Sequence, residues 1–225
     1  MEKKKEVKSD LPKEYKKGSV KFLGCKIDLS LRTFIPRPET GFWAEAAINE
    51  LKSRPALAVL DLFSGSGCVG IAVLKKIKNS SVDFCDIELR AVRQIKKNLK
   101  INKIDKKRYR VYCSDIFEKL PEEKLYDAIL ANPPYVDPDR VSEVQATVFD
   151  HEPHVALFSK KNGMAAIEKF LAQAKKHLGK SGVMYMEFDG AQAGLVEAIL
   201  KKEKYSSWRI FCDQFEQKRF VRIEI

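Results

Sequence analysis

Four consecutive residues, Asn132-Pro133-Pro134-Tyr135, end an apolar run with the composition of a buried strand. Because proline cannot donate to a sheet ladder, the strand must stop there. The side-chain oxygen of Asn132 and the carbonyl of Pro133 could accept both hydrogens of a planar amide-type nitrogen, while Tyr135 stacks on the flat group. Such a nitrogen is a poor nucleophile and must be oriented toward an electrophile. These residues predict catalysis by orientation, although a structural proline-rich strand exit has the same composition.

A second candidate site is the segment Phe63, Ser64, Gly65, Ser66 and Gly67, which follows one apolar run and precedes another. Glycine at 65 and 67 lets the backbone pass close to a ligand, and a helix N-terminus after it offers free N–H groups. A structural strand-to-helix bend or a dinucleotide site could have the same residues. The lysine of a P-loop is missing, which disfavours ATP or GTP.

Two carboxylates follow the next two predicted strands. Asp86 comes about 20 residues after the glycines, where an acid can accept hydrogen bonds from a ribose diol. Asp115 could meet an adenine amino group, although either acid could instead be a helix N-cap. Three consecutive strand ends carry a glycine loop, an acid and an acid. This arrangement predicts a ligand at the carboxyl ends of a parallel sheet.

Alternating strands and helices must position these residues. The predicted strands are 56–63, 82–87, 109–116, 126–132, 182–188, 207–213 and 219–225, and the predicted helices are 39–52, 68–78, 89–102, 163–178 and 191–203. The alternation predicts an α/β fold with a doubly wound, mainly parallel seven-stranded sheet. The last two strands have no helix between them, so they must form a hairpin that adds an antiparallel strand.

The chain is predicted to have three segments. Residues 1–18 form a basic N-terminal segment in which Val7, Leu11 and Tyr15 are spaced as on one helix face. Residues 19–38 form a β-hairpin, and residues 39–225 form the main domain. No signal peptide and no apolar run of transmembrane length is expected.

The composition bears on the partners that the protein could bind and on the compartment in which it works. The net charge is +11 and the pI is near 9.3, which favours anionic partners such as RNA or a ribosomal particle, although a lysine-rich solvated surface is the plainer interpretation. The five cysteines are scattered and form no C-x-x-C pair. They indicate a reducing cytoplasm and no zinc site.

Several segments together resemble one family. "FLGCKIDLSLRTFIPRPET" (22–40), "HEPHVALFSKKNG" (151–163), "MEFDGAQ" (186–192) and "DQFEQKRFVRIEI" (213–225) are similar to the HemK/PrmC release-factor glutamine methyltransferases. The resemblance covers about residues 19–225. It implies a class I, Rossmann-like methyltransferase fold, S-adenosylmethionine as cofactor, and transfer of a methyl group to the N5 amide nitrogen of a glutamine in a peptide-chain release factor.

The resemblance also implies roles for individual residues. Phe63 to Gly67 and Asp86 would contact the cofactor, Asp115 and Ile116 would lie near its adenine, and Asn132 would touch both ligands. Asn132 to Tyr135 would hold the substrate amide. Arg37, Pro38, Glu39 and Thr40 would line or buttress the site, with Arg37 binding substrate or forming a domain-packing ion pair. No metal is implied, and a monomer is expected.

Three departures from the family pattern bear on these expectations. Phe63 replaces the first glycine of the cofactor loop and could narrow the pocket, and Gly41 replaces an acid. Members of the family have an N-terminal helical domain that helps to bind the release factor. In this sequence only about 18 residues precede the predicted hairpin. The Asn-Pro-Pro-Tyr motif is shared with adenine-N6 methyltransferases. An RNA or DNA base methyltransferase and a non-catalytic ribosome-associated module therefore remain alternatives.

Overall fold

The computed structural model describes residues 10–139 and 146–225 of the chain. Their strands are β1 (Ser19–Phe22), β2 (Cys25–Asp28), β3 (Leu57–Leu62), β4 (Ser80–Asp86), β5 (Tyr109–Cys113), β6 (Tyr126–Ala131), β7 (Leu178–Glu187), β8 (Ser207–Cys212) and β9 (Lys218–Glu224). Their α-helices are α1 (Lys13–Lys17), α2 (Pro38–Leu51), α3 (Cys68–Lys76), α4 (Leu89–Ile101), α5 (Ala146–His151), α6 (His154–Leu157), α7 (Ala165–Ala174) and α8 (Ala193–Lys202).

Seven strands form one sheet in the order β5-β4-β3-β6-β7-β9-β8. The strands from β5 to β7 are parallel, and β9 lies antiparallel to both β7 and β8. The predicted seven-stranded, mainly parallel sheet with a closing antiparallel hairpin is confirmed. The chain winds from β3 outward to β5 and then returns to place β6 on the other side of β3. This reversal leaves a crevice beyond the carboxyl ends of β3 and β6, where open α/β sheets bind ligands.

Both faces of the sheet are covered. Val59 of β3 belongs to an apolar cluster with α2, α3 and α4, whereas Leu60 and Leu62 belong to a second cluster with α7 and α8. Side chains alternate between the two faces of a strand, so a strand buried on both faces is apolar throughout. This explains why the buried positions of the central strands are mainly apolar.

The N-terminal hairpin packs on α4. β1 and β2 pair antiparallel around a turn at Leu23-Gly24, and residues 33–37 of the 19–38 segment contain no strand. The buried Asn98 of α4 accepts from Asp28 N at 2.8 Å and donates to the Ser66 carbonyl at 2.9 Å. One α4 side chain therefore ties the hairpin to the loop that follows β3.

Several bounds differ from the predicted ones. The strand predicted over 109–116 ends at Cys113, and Ile116, with φ +50°, lies beyond it. The helix predicted over 163–178 is α7 followed by a 3-10 turn, and the strand predicted from residue 182 begins at Leu178. In the N-terminal segment Tyr15 is buried on the short helix α1, while Val7 lies outside the described residues.

Three further features belong to the residues that the structure describes. No helix among them has the length and apolarity needed to cross a membrane. In the same ranges no group of three or more His, Cys, Asp or Glu side chains is arranged to hold a metal ion. All five cysteines are free thiols.

Candidate active site

A cavity of about 710 Å³ lies at the crevice beyond β3 and β6. Most of the predicted site residues line it, namely Phe63, Ser64, Gly65, Ser66, Asp86, Asp115, Ile116, Asn132, Pro133, Pro134 and Tyr135. Thr40 lines it as well, whereas Gly67, Arg37, Pro38 and Glu39 do not. The fold thus brings the two candidate sites, which are far apart in the sequence, to one cavity.

The loop after β3 is shaped by three left-handed residues. Phe63, Gly65 and Gly67 have φ values of +59°, +53° and +77°. Gly67 is the N-cap residue immediately before α3 and donates its N–H to the Ser64 carbonyl at 2.7 Å. Phe63 adopts the conformation that glycine adopts more readily, and its ring packs edge-on against Phe170 with centroids 6.2 Å apart. The replacement of glycine therefore keeps the loop conformation and adds an aromatic side chain to the cavity wall.

Asp86 ends β4 and reaches back to the same loop. Its carboxylate accepts from Gly65 N at 2.7 Å and from Glu88 N at 2.9 Å. Burial raises the pKa of Asp86 to about 6, against the lowering effect of these two hydrogen bonds. A carboxylate has more acceptor sites than these two donors use, so Asp86 can also accept from a ligand hydroxyl.

Asp61 is a buried acid of the cavity wall that the sequence did not single out. Its carboxyl group accepts from Gly70 N at 2.9 Å, and burial raises its pKa to about 8. A Cβ atom at residue 70 would lie 2.4 Å from the Phe84 ring and 2.9 Å from the Asp61 carboxyl oxygen. Glycine at 70 thus allows α3 to approach β3 closely.

The Asp115 carboxylate lies two residues beyond the end of β5. Lys169 of α7 donates to it at 2.6 Å and to Glu118 at 3.0 Å. Lys169 itself lines the cavity. This edge of the cavity therefore presents a carboxylate with an ammonium group beside it, while the buried Ile116 supplies apolar surface.

The Asn132 amide group is held by Thr40, a residue of α2 that also lines the cavity. Asn132 Nδ2 donates to Thr40 Oγ1 at 3.3 Å, and Thr40 Oγ1 donates to Glu187 Oε2 at 2.7 Å. The Tyr135 hydroxyl donates to the other oxygen of Glu187 at 3.2 Å. One buried carboxylate at the end of β7 is therefore connected to both ends of the Asn-Pro-Pro-Tyr segment.

The backbone around Tyr135 and Val136 is held by Gln192, by the end of α6 and by the segment that follows α6. Gln192 Nε2 donates to the Tyr135 carbonyl at 2.8 Å and to the Asn162 carbonyl at 3.0 Å. Val136 N donates to the Leu157 carbonyl at 2.9 Å, and Ser159 N donates to the Val136 carbonyl at 3.0 Å. These bonds hold the proline turn in addition to the bond from Asn132 to Thr40.

Arg37 forms an ion pair with Glu152, whose side chain is fully buried. Its guanidinium group also lies 5.0 Å from the centroid of the Phe34 ring. Glu152 accepts in addition from Ile35 N at 3.1 Å. Of the two predicted roles for Arg37, the geometry favours the packing ion pair, which fixes the strand-like segment leading to α2.

Sequence reasoning missed several residues of the site, chiefly Glu187, Gln192, Asp61 and Lys169. Glu187 and Gln192 stood within the "MEFDGAQ" segment but were given no role. A signal for Glu187 was present, because it is the one charged residue in the apolar run 182–188 and a buried acid requires hydrogen-bond partners. Its partners Thr40 and Trp43 lie on a distant helix, so their proximity depends on the fold.

Comparison with known proteins agrees with this architecture. Residues 44–157 match the Methyltransferase small domain family. Among solved structures, a Thermus thermophilus 16S rRNA N2 G1207 methyltransferase in complex with AdoMet and guanosine has a TM-score of 0.65 at 20% identity, covering 92% of this chain and 49% of that chain. A ribosomal protein L11 methylase from Lactobacillus delbrueckii has a TM-score of 0.62 at 19% identity, covering 88% and 81%. At these identities the likeness establishes the fold alone.

The sequence relatives identify the family, which the solved structures do not. The release factor glutamine methyltransferase of Lactococcus lactis is 31% identical over 95% of this chain and 77% of its own length. That of Streptococcus pneumoniae is 32% identical over 95% of this chain and 75% of its own length. With most of both chains aligned at this identity, this protein belongs to the release factor glutamine methyltransferase family.

Proposed function

We propose that this protein transfers a methyl group from S-adenosyl-L-methionine to the side-chain amide nitrogen (N5) of a glutamine in a peptide-chain release factor. The observation that supports the proposal most is the Asn132 side chain, which lines the cavity with its amide NH₂ directed to Thr40. Its oxygen is thereby available to accept a hydrogen from a substrate amide. The names of the relatives support a glutamine of a release factor as that substrate.

The cavity residues suit the cofactor. Asp86 would accept from the ribose hydroxyls, Asp115 and Ile116 would face the adenine, and the Phe63–Gly67 loop would pass beside the methionine portion. The cavity of about 710 Å³ is large enough for a nucleoside with an amino-acid tail and a planar amide. When bound, the cofactor supplies an electrophilic methyl group on a sulfonium centre.

The remaining chemistry belongs to the Asn-Pro-Pro-Tyr segment. The Asn132 oxygen and the Pro133 carbonyl would accept the two N–H hydrogens, and Tyr135 would cover the flat face of the amide. Pro133 and Pro134 add no N–H donors that could compete for these acceptors. The substrate nitrogen would form its new bond to carbon as the carbon–sulfur bond breaks, and one N–H proton would leave to solvent. Orientation and electrostatics supply the rate acceleration, with no protein nucleophile.

The deciding experiment offers the purified protein labelled S-adenosylmethionine with a release factor and ribosomal RNA side by side. We expect label in the release factor, lost when its acceptor glutamine is replaced. Asn132→Ala should abolish turnover while the unfolding transition stays close to that of the parent protein. Label in RNA with the release factor unlabelled would support the alternative, an adenine-N6 methyltransferase, because an adenine amino group presents the same two hydrogens as an amide.

The charge distribution supports proximity to an anionic partner such as ribosomal RNA. Arg93, Lys96, Lys100 and Lys103 are exposed on or just after α4, and none of them has an ion pair within the residues that the structure describes. RNA binding would weaken steeply with salt through counterion release, whereas docking of a protein should depend on salt more gently. A cytoplasmic location, where release factors act, and a monomeric state are part of the same proposal. Size-exclusion chromatography tests the monomer.

A further inference from the structure

Glu187 gathers hydrogen-bond donors from two parts of the chain at the end of β7. Its Oε2 atom accepts from Thr40 Oγ1 at 2.7 Å and from Trp43 Nε1 at 2.6 Å, both on α2. Its Oε1 atom accepts from the Tyr135 hydroxyl at 3.2 Å. The residue is only 1% exposed and does not line the cavity, so it acts on the site through these partners.

The carboxylate determines which group donates and which accepts in each hydrogen bond of this network. An ionised carboxylate can only accept hydrogen bonds, so the single hydroxyl hydrogen of Thr40 is committed to Glu187. Thr40 then has only lone pairs to offer Asn132, which must present its NH₂ group; Nδ2 lies 3.3 Å from Thr40 Oγ1. The Asn132 oxygen is thereby directed away from Thr40. If Thr40 donated to Asn132 instead, the Asn132 amide would have to turn over and present its NH₂ group to the substrate.

We propose that Glu187 is a positioning residue that fixes the direction of the Asn132 amide through Thr40 and anchors the Tyr135 ring at the same time. The inference rests on the proposed function, because a substrate amide needs hydrogen-bond acceptors at this position. A donor at Asn132 would meet the N–H groups of the substrate and repel them. The carboxylate thus determines whether the cavity accepts an amide nitrogen or an amide oxygen.

The electrostatic surroundings give this arrangement a pH dependence. Burial raises the pKa of the Glu187 carboxyl group, against the hydrogen bonds from Trp43, Thr40 and Tyr135 and the positive charge of Arg219. The other titratable groups that interact with this cluster are Cys68 of α3 and Asp189. When pH falls through the raised pKa, the added hydrogen goes to Oε1, because the Tyr135 hydroxyl can accept from it whereas the Trp43 indole beside Oε2 can only donate. The Tyr135 hydroxyl must then reverse its bond and the carboxyl group loses its charge, so turnover should fall on the acid side.

The test compares Glu187→Leu with Thr40→Val and Thr40→Ser. Leucine at 187 removes the acceptor to which the Thr40 hydroxyl donates, and valine at 40 removes the hydroxyl itself. We expect both variants to lose kcat by about a hundredfold, the size of effect that a misplaced reactive group produces, with cofactor affinity changed by less than about threefold. Thr40→Ser retains the hydroxyl and should keep most of the activity.

Glu50→Gln is the matched control. Glu50 also joins α2 to β7, because it accepts from the Tyr185 hydroxyl and pairs with Arg222 of β9, yet it does not line the cavity. Loss of this anchor should lower the unfolding midpoint with kcat retained. The wild-type kcat profile should fall on the acid side as Glu187 is protonated.

The outcomes separate the two proposals. If Glu187→Leu and Thr40→Val both retain kcat within about threefold while Asn132→Ala is inactive, the positioning role is wrong and the proposed function stands. The positioning role is also wrong if Thr40→Ser is as inactive as Thr40→Val, or if Glu187→Leu and Thr40→Val lose activity only in proportion to their unfolded fraction. If the wild-type protein labels no release factor, the proposed function itself fails.

Discussion

Gly163 lies so close to the backbone carbonyl of Tyr135 that a residue with a side chain cannot replace it without displacing that carbonyl. A Cβ atom at residue 163 would lie 2.0 Å from the Tyr135 oxygen and 2.5 Å from Gln192 Nε2, and the backbone of Gly163 has φ +81°. The glycine in the segment after α6 therefore lets that segment support the proline turn. The turn is therefore held both by the backbone contact with Gly163 and by the hydrogen bond from Asn132 to Thr40.

Gly163→Ala should displace the Asn-Pro-Pro-Tyr segment. We expect a lower unfolding free energy, by about 1–2 kcal/mol from the left-handed backbone alone, and a loss of kcat beyond what that instability explains. The measurements are chemical denaturation and methyl incorporation. Gly194→Ala is the control, because no atom lies within 4 Å of a Cβ there and the residue is on a helix. It should be neutral or stabilising by up to about 1 kcal/mol. Normal kcat in Gly163→Ala would contradict the buttressing role.

Phe63 combines backbone strain with packing, and two substitutions separate them. Phe63→Ala loses the contact with Phe170 but keeps a side chain at φ +59°. Phe63→Gly loses the same contact and relieves the strain. We expect the glycine variant to be more stable than the alanine variant by about 1 kcal/mol in denaturant titrations, with the parent protein above both. Equal stabilities would show that the strain is absent.

Cofactor binding should weaken on acidification because of Asp86. Its pKa of about 6 means that the carboxylate is protonated as pH falls from 7 to 5, while Asp61, with a pKa of about 8, is already mainly protonated over this range. We expect affinity for S-adenosylmethionine, measured by calorimetry, to fall toward tenfold per pH unit below about pH 6.

Asp86→Asn should bind weakly at every pH in that range, without the acid limb. Asp86→Ala should lose about 1.5–3 kcal/mol of binding free energy, or roughly tenfold or more in affinity. Unchanged affinity in the alanine variant would remove Asp86 from the cofactor site.

Asp61 should make the protein less stable as pH rises. Burial raises the pKa of its carboxyl group to about 8, so the folded state holds a proton that the unfolded state has released. Stability is therefore lost as pH increases from about 4 to 8, by up to about 1.4 kcal/mol per pH unit. Denaturation of the parent protein and of Asp61→Asn at pH 5 and pH 8 checks this. The variant should lose less stability between these conditions, and equal losses would mean that Asp61 is ionised in the fold.

The ion pair of Arg37 with Glu152 predicts a structural phenotype for substitutions at both residues. Arg37→Ala leaves the fully buried Glu152 side chain without its counter-charge and should lower the unfolding free energy by roughly 2 kcal/mol or more. The double variant Arg37→Met, Glu152→Gln should recover much of that stability and retain methyl transfer. If the double variant is stable but has a much higher KM for the release factor, Arg37 binds substrate instead.

The parts of the site that the sequence predicted are those encoded by short segments. The glycine loop, Asp86 and Asn132 each follow an apolar strand, and the ends of parallel strands meet at one edge of a sheet. Glu187 and Gln192 could not be assigned in this way, because their partners are Thr40, Trp43 and the Tyr135 carbonyl on other elements. Arg37 stood in a recognisable signature, yet only the position of Glu152 favours packing over substrate binding.

The link between Thr40 and Glu187 joins residues that are 147 positions apart, and this has a consequence for the growing chain. During synthesis the Asn-Pro-Pro-Tyr segment emerges well before Glu187, so Asn132 at first has no partner that sets the direction of its amide. Only when β7 joins the sheet does the Thr40 hydroxyl acquire its acceptor. A partly synthesised chain could therefore form the cofactor loop before the Asn132 amide is oriented to bind a glutamine amide. Methyl transfer would begin only once β7 has joined the sheet.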